Sequence, residues 1–167
     1  MKKQITLLFI LSTLTLLGQN LSGDNLKTYV GKKGLYQIKY NGEKWHEEIN
    51  RTKWDVEFGD SYNLLSAYFI EYDYFISEKH IKSTTKAQFA EYGKIKEFKT
   101  FKKQINNLPV DCFEFVLNYN NAICKYQGFI YNGKGGSIEL LFSGQIESIE
   151  KNQDSIDEFS NGLSLIK

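Results

Sequence analysis

The sequence of 167 residues is poor in the residues that usually declare a chemistry, with one proline, two cysteines and two histidines. Two cysteines cannot staple a disulfide-built scaffold. Two histidines, His46 and His80, fall short of the three protein ligands of a hydrolytic zinc centre. A charge excess is also missing, since 21 Lys+Arg stand against 20 Asp+Glu. That balance argues against a nucleic-acid binder held by phosphate contacts. No apolar run reaches the roughly 20 residues that a spanning helix needs, and there is no repeat, linker or low-complexity tract. What is plentiful is aromatic: Phe 12, Tyr 11 and Trp 2, or 15% of the chain. With 41% hydrophobic and 25% charged residues the composition is globular. The length suits one domain, expected over residues 26–167.

The N-terminus has the three parts of a secretory signal peptide, expected over residues 1–18. Lys2 and Lys3 supply the positive charge, Ile5 to Leu17 the apolar run, and Gly18 a small residue before Gln19-Asn20. An uncleaved anchor is the competing account of the same run. Export makes the location periplasmic or secreted, leaves no membrane span in the mature chain, and places Cys112 and Cys124 where disulfides persist.

Beyond Leu26 the pattern is mainly strand. Tyr36, Ile38 and Tyr40 alternate with Gln37 and Lys39, closed by the turn pair Asn41-Gly42. Strands are expected at Trp54–Phe58 and through Leu64–Ile76, the latter apolar on both faces before Glu71 and Asp73. Ser83-Thr84-Thr85 predicts a helix start, with an end at Gly93. Four further strands joined by tight polar turns follow: Ile95–Ile105, Val110–Asn118, one through Tyr131, and one holding Ile138, Leu140 and Phe142. They predict an antiparallel meander. The spacing of Ile156, Phe159 and Leu163 predicts a helix over Asn152–Leu163, capped by Asn152.

This order of elements resembles the PsbP-like (Mog-type) family from Tyr29 to Ile166. Gly34-Leu35-Tyr36-Gln37-Ile38-Lys39-Tyr40 precedes Trp45, where that family has a strand and a Tyr-Pro-x-x-Trp-like turn. Gln104-Ile105-Asn106-Asn107-Leu108-Pro109-Val110 stands at the place of its Ile-x-Gly-x-x-Ala strand end. Asn41-Gly42 replaces the proline of the pattern and Asn107 its glycine, Asn being the next residue to tolerate positive φ. The resemblance implies an α+β fold, an antiparallel sheet flanked by helices in an α/β/α sandwich. It also implies a mostly non-enzymatic role with diverse partners, and it supplies no catalytic residues.

The motif search agrees. His46-Glu47-Glu48-Ile49-Asn50 opens like a zinc helix but has Asn50 in place of the second histidine. Gly135-Gly136-Ser137-Ile138-Glu139 fails as a nucleophile elbow at its last position. Asn152–Asp157 lacks the turn glycine of a calcium loop. The lysines at 94, 96, 99, 102 and 103 read as a solvated edge. No catalytic residue, metal site or cofactor is expected.

Two features stay open. A strand register centred on Asn118 sets Cys112 opposite Cys124 and permits a disulfide; one centred near Asn120 sets Cys112 opposite Gly128 and leaves two thiols. Tyr68, Tyr72 and Tyr74 share a strand face, either as packing or as a binding surface. The sequence therefore predicts an exported, non-catalytic accessory or binding protein of the cell envelope. Its partner is another envelope protein or a small apolar ligand, and the alternative role is a carrier for a lipid or small apolar molecule.

Overall fold

The computed structural model describes residues 25–48, 54–119 and 122–166. The expected signal peptide over residues 1–18 lies outside them, as do Ile49 and Asn50 of the zinc-like motif.

Among the described residues, ten strands and three helices follow one another as β1 (Leu26–Val30), β2 (Tyr36–Asn41), β3 (Trp45–Glu47), β4 (Val56–Asp60), β5 (Leu65–Glu71), α1 (Glu78–Gln88), β6 (Lys94–Ile105), β7 (Leu108–Tyr119), β8 (Ala122–Gly133), β9 (Gly136–Gln145), α2 (Ile146–Lys151), α3 (Gln153–Asn161) and β10 (Leu163–Leu165). Seven strands form one antiparallel sheet in the order β3-β4-β5-β9-β8-β7-β6. The expected meander is its β6–β9 half. The tight β8–β9 hairpin pairs Gly133 with Gly136 and turns through Gly135 and Gly136 at φ 85° and 121°. A second, three-stranded sheet joins the two ends of the described chain in the order β1-β2-β10.

Alternation along the strands sorts the apolar residues into two layers. On one face of the large sheet, Phe58, Phe69, Phe129, Leu140 and Phe142 pack against Tyr36, Ile38 and Tyr40 of the small sheet and Ile156 and Phe159 of α3. On the other face, Phe113, Phe115, Leu117, Ile130 and Leu141 meet Ile76, Ile81 and Phe89 from α1 and its flanks. The chain is thus an α+β sandwich with its principal sheet covered on both sides. Phe159 is a keystone of the first layer, its ring centred 4.9 Å from Trp45, 5.1 Å from Phe58 and 5.8 Å from Phe142. Directly after α3, a side chain at Gly162 would place its Cβ 1.8 Å from the Lys39 carbonyl oxygen. Glycine there lets β10 close onto β2.

Several boundaries depart from the sequence expectation. Helix α1 starts after Ser77, whose backbone is extended at φ −76° and ψ 152°. Ser83 and Thr85 lie inside it, and their hydroxyls donate back to the carbonyls of His80 and Ile81 at 2.9 Å. Back-bonding absorbs hydroxyls that the sequence offered as caps. The helix ends at Gln88, and a turn carries the chain to Gly93 at φ 143°. Strand β4 runs two residues past Phe58, through Gly59 and Asp60. The buried Asp60 carboxylate accepts the Leu64 and Leu65 amides at 2.6 and 2.7 Å, making the turn into β5. The C-terminal helix is two helices interrupted at Asn152, whose side-chain amide donates to the Ser148 carbonyl at 2.8 Å instead of capping α3. Leu163 belongs to β10, opposite Ile38. Asn106 and Asn107 take positive φ (46° and 63°), the conformation expected at the glycine-like position. On the edge strand β6, Lys99 pairs with Glu114, Lys102 with Glu78 and Lys103 with Asp157.

The cysteines are free thiols. The β7–β8 register places Cys112 opposite Phe129 and Cys124 opposite Leu117, five residues apart along the ladder. Cys112 points into the α3 layer with Phe129. Cys124 lies an even number of residues from Tyr126, which faces the α1 layer, so strand alternation turns it to that same face. A bond between them would require dismantling the ladder. Burial pushes the Cys112 thiol up to about 11.

Two outcomes are expected. Phe159→Ala should destabilise the protein by about 3–5 kcal/mol in urea unfolding, and a loss under about 1 kcal/mol would contradict the keystone assignment. Alkylation of unfolded, unreduced protein should label both Cys112 and Cys124; protection of either would show that the register is wrong.

Candidate aromatic site

The α1 face of the large sheet is lined with rings brought together by register. Phe115 pairs directly with Tyr126 across β7 and β8, and their rings lie 4.8 Å apart and parallel within 1°. Phe98 and Phe113 continue the stack toward the edge. Toward the other edge, Glu57 of β4 stands opposite Tyr68 of β5. Trp54, just before β4, lays its ring 5.3 Å from Tyr68 and 6.0 Å from Phe89. Phe89 ends α1 and also meets Tyr126 at 4.9 Å and Tyr92 at 6.0 Å.

These residues enclose a recess of about 160 Å³ walled by Trp54, Tyr68, Phe89, Tyr92 and Tyr126, with Glu57 the one charged group among the described residues that line it. Tyr92 is 38% exposed and forms its rim. The Tyr68 hydroxyl lies 3.3 Å from Ser143 Oγ. Burial raises the Tyr68 and Tyr126 phenols, so both stay neutral. Glu57 is raised too, first by burial and then by the neighbouring Glu48, with hydrogen bonds from Tyr68 and Ser66 pulling the other way. Glu57 also lines a wider open trough of about 530 Å³ with Glu48, Asn63, Ser66, Cys124 and Ser143. Among the described residues, no basic side chain lines either space.

Of the three tyrosines expected to share a face, Tyr68 and Tyr72 pack against the same α1-side core, and Tyr74 is exposed. Tyr68 joins the recess, whereas Tyr72 and Tyr74 lie beyond the end of β5, beside the start of β9. Their rings are 5.3 Å apart. Tyr74 is exposed, while the Tyr72 hydroxyl donates to Glu139 Oε2 at 2.5 Å. Glu139 is buried, and its Oε1 has no hydrogen-bond partner. Burial pushes its carboxyl up to about 7 against hydrogen bonds from Tyr72 and Gln88. A proton on the carboxyl is the physical response to that environment.

The sequence did not single out Trp54, Glu57, Phe89, Tyr92 and Tyr126 as a group, and they come from three separate segments. A trace was present in the turn signal at Gly93, just after Phe89 and Tyr92, but their convergence on Tyr126 follows from strand order. Elsewhere, His46 lies on strand β3 with its Nε2 2.8 Å from Glu48. Ser137 accepts the Ile76 amide at 2.7 Å and donates to Asn132 at 2.5 Å, a structural use of its hydroxyl. Among the described residues no group of three or more His, Cys, Asp or Glu is placed to hold a metal ion. No helix among them is long and apolar enough to cross a membrane.

Comparison with solved structures identifies the fold. The solution structure of the cyanobacterial PsbP, CyanoP, from Synechocystis sp. PCC 6803 is similar with a TM-score of 0.63 and 11% identity, over 89% of this chain and 96% of that one. A crystal structure from Bacteroides thetaiotaomicron gives a TM-score of 0.56 at 11% identity, over 86% of this chain and 49% of its own. LpqN of Mycobacterium tuberculosis, described as involved in cell envelope biogenesis, gives 0.51 at 7% identity, over 87% and 88%. No protein-family model matches the chain, and no curated protein matches its sequence. The fold is PsbP-like.

Glu139 makes stability depend on pH. The unfolded carboxyl ionises near 4.5 and the folded one near 7, so between these values the native state keeps a proton that the unfolded chain has lost. Stability should therefore be greatest below pH 4.5 as far as this group is concerned, and fall by about 3 kcal/mol as pH rises to 7. Glu139→Gln should flatten that segment of the stability profile measured by urea unfolding. An unchanged slope would locate the titration elsewhere.

Proposed function

We propose that this chain is an exported, non-catalytic binding domain of the cell envelope, and that it engages its partner at the aromatic recess beside Tyr92. The observation that carries the reading is five rings from four segments converging on one small space open at the surface. Rings that serve packing alone have no reason to leave such a space, because interiors close to crystal-like density. Aromatic side chains suit recognition because they bring large contact area at small entropy cost. Export is supported by the N-terminal charge, apolar run and small-residue pattern, and the envelope setting by the description of LpqN. A PsbP-like fold does not by itself choose a partner.

The carrier reading is less well supported. A lipid or drug-sized ligand is held in about 300–1,000 Å³ of mostly enclosed apolar space. The aromatic recess is smaller, at about 160 Å³, and the larger trough is open and lined by carboxylates and hydroxyls. The apolar groove between the sheet and α3 holds about 80 Å³.

Native mass spectrometry of protein purified from its own host tests the reading. A bound envelope component should be present with the wild type and lost with Tyr92→Ala, a rim substitution that leaves the folded core in place. A lipid retained equally by both forms would overturn the recess assignment in favour of a carrier.

A further inference from the structure

We propose that the recess of Trp54, Glu57, Tyr68, Phe89, Tyr92 and Tyr126 is a binding site for a quaternary ammonium group, free or as a head group. This rests on the reading of the recess as the binding site and adds the chemistry of what it takes. Five aromatic rings line one space, and the face of each π-system carries the negative end of its quadrupole. A cation within about 6 Å of such ring centroids is attracted by their quadrupoles, most strongly when desolvated. Among the described residues, Glu57 supplies the formal counter-charge at the wall, Glu48 stands nearby in the adjoining trough, and no basic side chain lines either space.

Size and hydrogen-bonding capacity select the kind of cation. The recess, at about 160 Å³, matches the roughly 150 Å³ cavity that accommodates a benzene-sized group. A methylated ammonium head is of that order. A lysine ammonium carries three N–H donors and is strongly hydrated, so it would need several acceptors where the recess offers one carboxylate and neutral phenols. Guanidinium needs paired acceptors in its plane. A quaternary ammonium has no N–H to satisfy and spreads its charge over methyl groups that fit against ring faces. Glu57 already carries a raised affinity for protons from burial and from Glu48, and an adjacent fixed cation would relieve the cost of its ionised form. The trough that shares Glu57 gives the remainder of a longer ligand, hydroxyl or ester, an exit lined by Ser66, Ser143 and Asn63.

The test is titration of the folded full chain with choline and with tetramethylammonium, read by calorimetry and by tryptophan fluorescence, since Trp54 lines the recess. The neutral tert-butyl analogue of choline serves as control. Saturable binding of choline is expected, with the neutral analogue at least about tenfold weaker. Glu57→Gln and Tyr92→Leu, which keep size and apolar area, should each weaken choline by about tenfold. Circular dichroism of both variants should match the wild type. Vesicles of phosphatidylcholine against phosphatidylglycerol separate a head group from a free ligand; binding to phosphatidylcholine alone supports the proposal with a lipid as source. Equal binding of choline and its neutral analogue overturns it, as does failure to bind any ammonium probe. If the Tyr92-dependent host component is still captured after that failure, the recess remains the binding site and only the ammonium assignment falls. If that capture fails too, both readings fall.

Discussion

Strand β9 must be covered on both faces, and the rest of the structure depends on that constraint. Its residues from Gly136 to Phe142 are all buried, in the middle of the seven-stranded sheet. One cover is complete: the small sheet and α3 seal the layer of Phe58, Phe142 and Phe159. The other relies mainly on α1, which has 11 residues and so spans about 16 Å. Seven strands extend about 29 Å at their usual spacing. A helix of that length cannot roof the whole face, and aromatic side chains extend the cover from the sheet itself. The recess lies where that cover ends.

Rings pack on both faces of the sheet, but on the α1 face they also extend a cover that the helix leaves short. Large rings suit a half-covered sheet because they bury area while standing on pleated neighbours. Phe113, Phe115 and Tyr126 do this deep under α1, while Tyr68, Trp54 and Tyr92 do it at the margin. Carboxylates in the two settings behave differently. Glu139, deep in the layer, is held by Tyr72 and Gln88 and pushed toward its neutral form. Glu57, at the margin, keeps contact with solvent and with Glu48. Depth separates a carboxyl driven toward its neutral form from one that still meets solvent.

The likeness to CyanoP at 11% identity shows how little of this architecture rests on particular residues. Layer order, strand alternation and turn chemistry are enough to specify the sandwich. Those rules leave side chains at the margin, such as Glu57 and Tyr92, free to vary.

Much of the frame was legible locally. Tyr36, Ile38 and Tyr40 alternate and are buried at 2%, 0% and 3% exposure. Asn106 and Asn107 marked a positive-φ turn, and the polar turns between 105 and 136 marked the meander. These are short-range signals, set by backbone sterics and the period of two, which residues carry wherever they are placed. Helix α1 was displaced because Ser83 and Thr85 look the same in sequence whether they cap a helix or bond back within it; packing of Ile81 and Phe89 on the sheet settled the difference. The cysteine pair depended on a register that a shift of one residue changes. The sequence by itself determined the strand-rich composition, the alternating faces and the turns. Only the tertiary structure decided that β5 lies beside β9, that Cys112 and Cys124 lie on opposite faces, and that Trp54, Glu57, Tyr68, Phe89, Tyr92 and Tyr126 surround one recess. Those are contacts between segments far apart in the chain, and no local propensity encodes which distant partner a half-buried strand will choose.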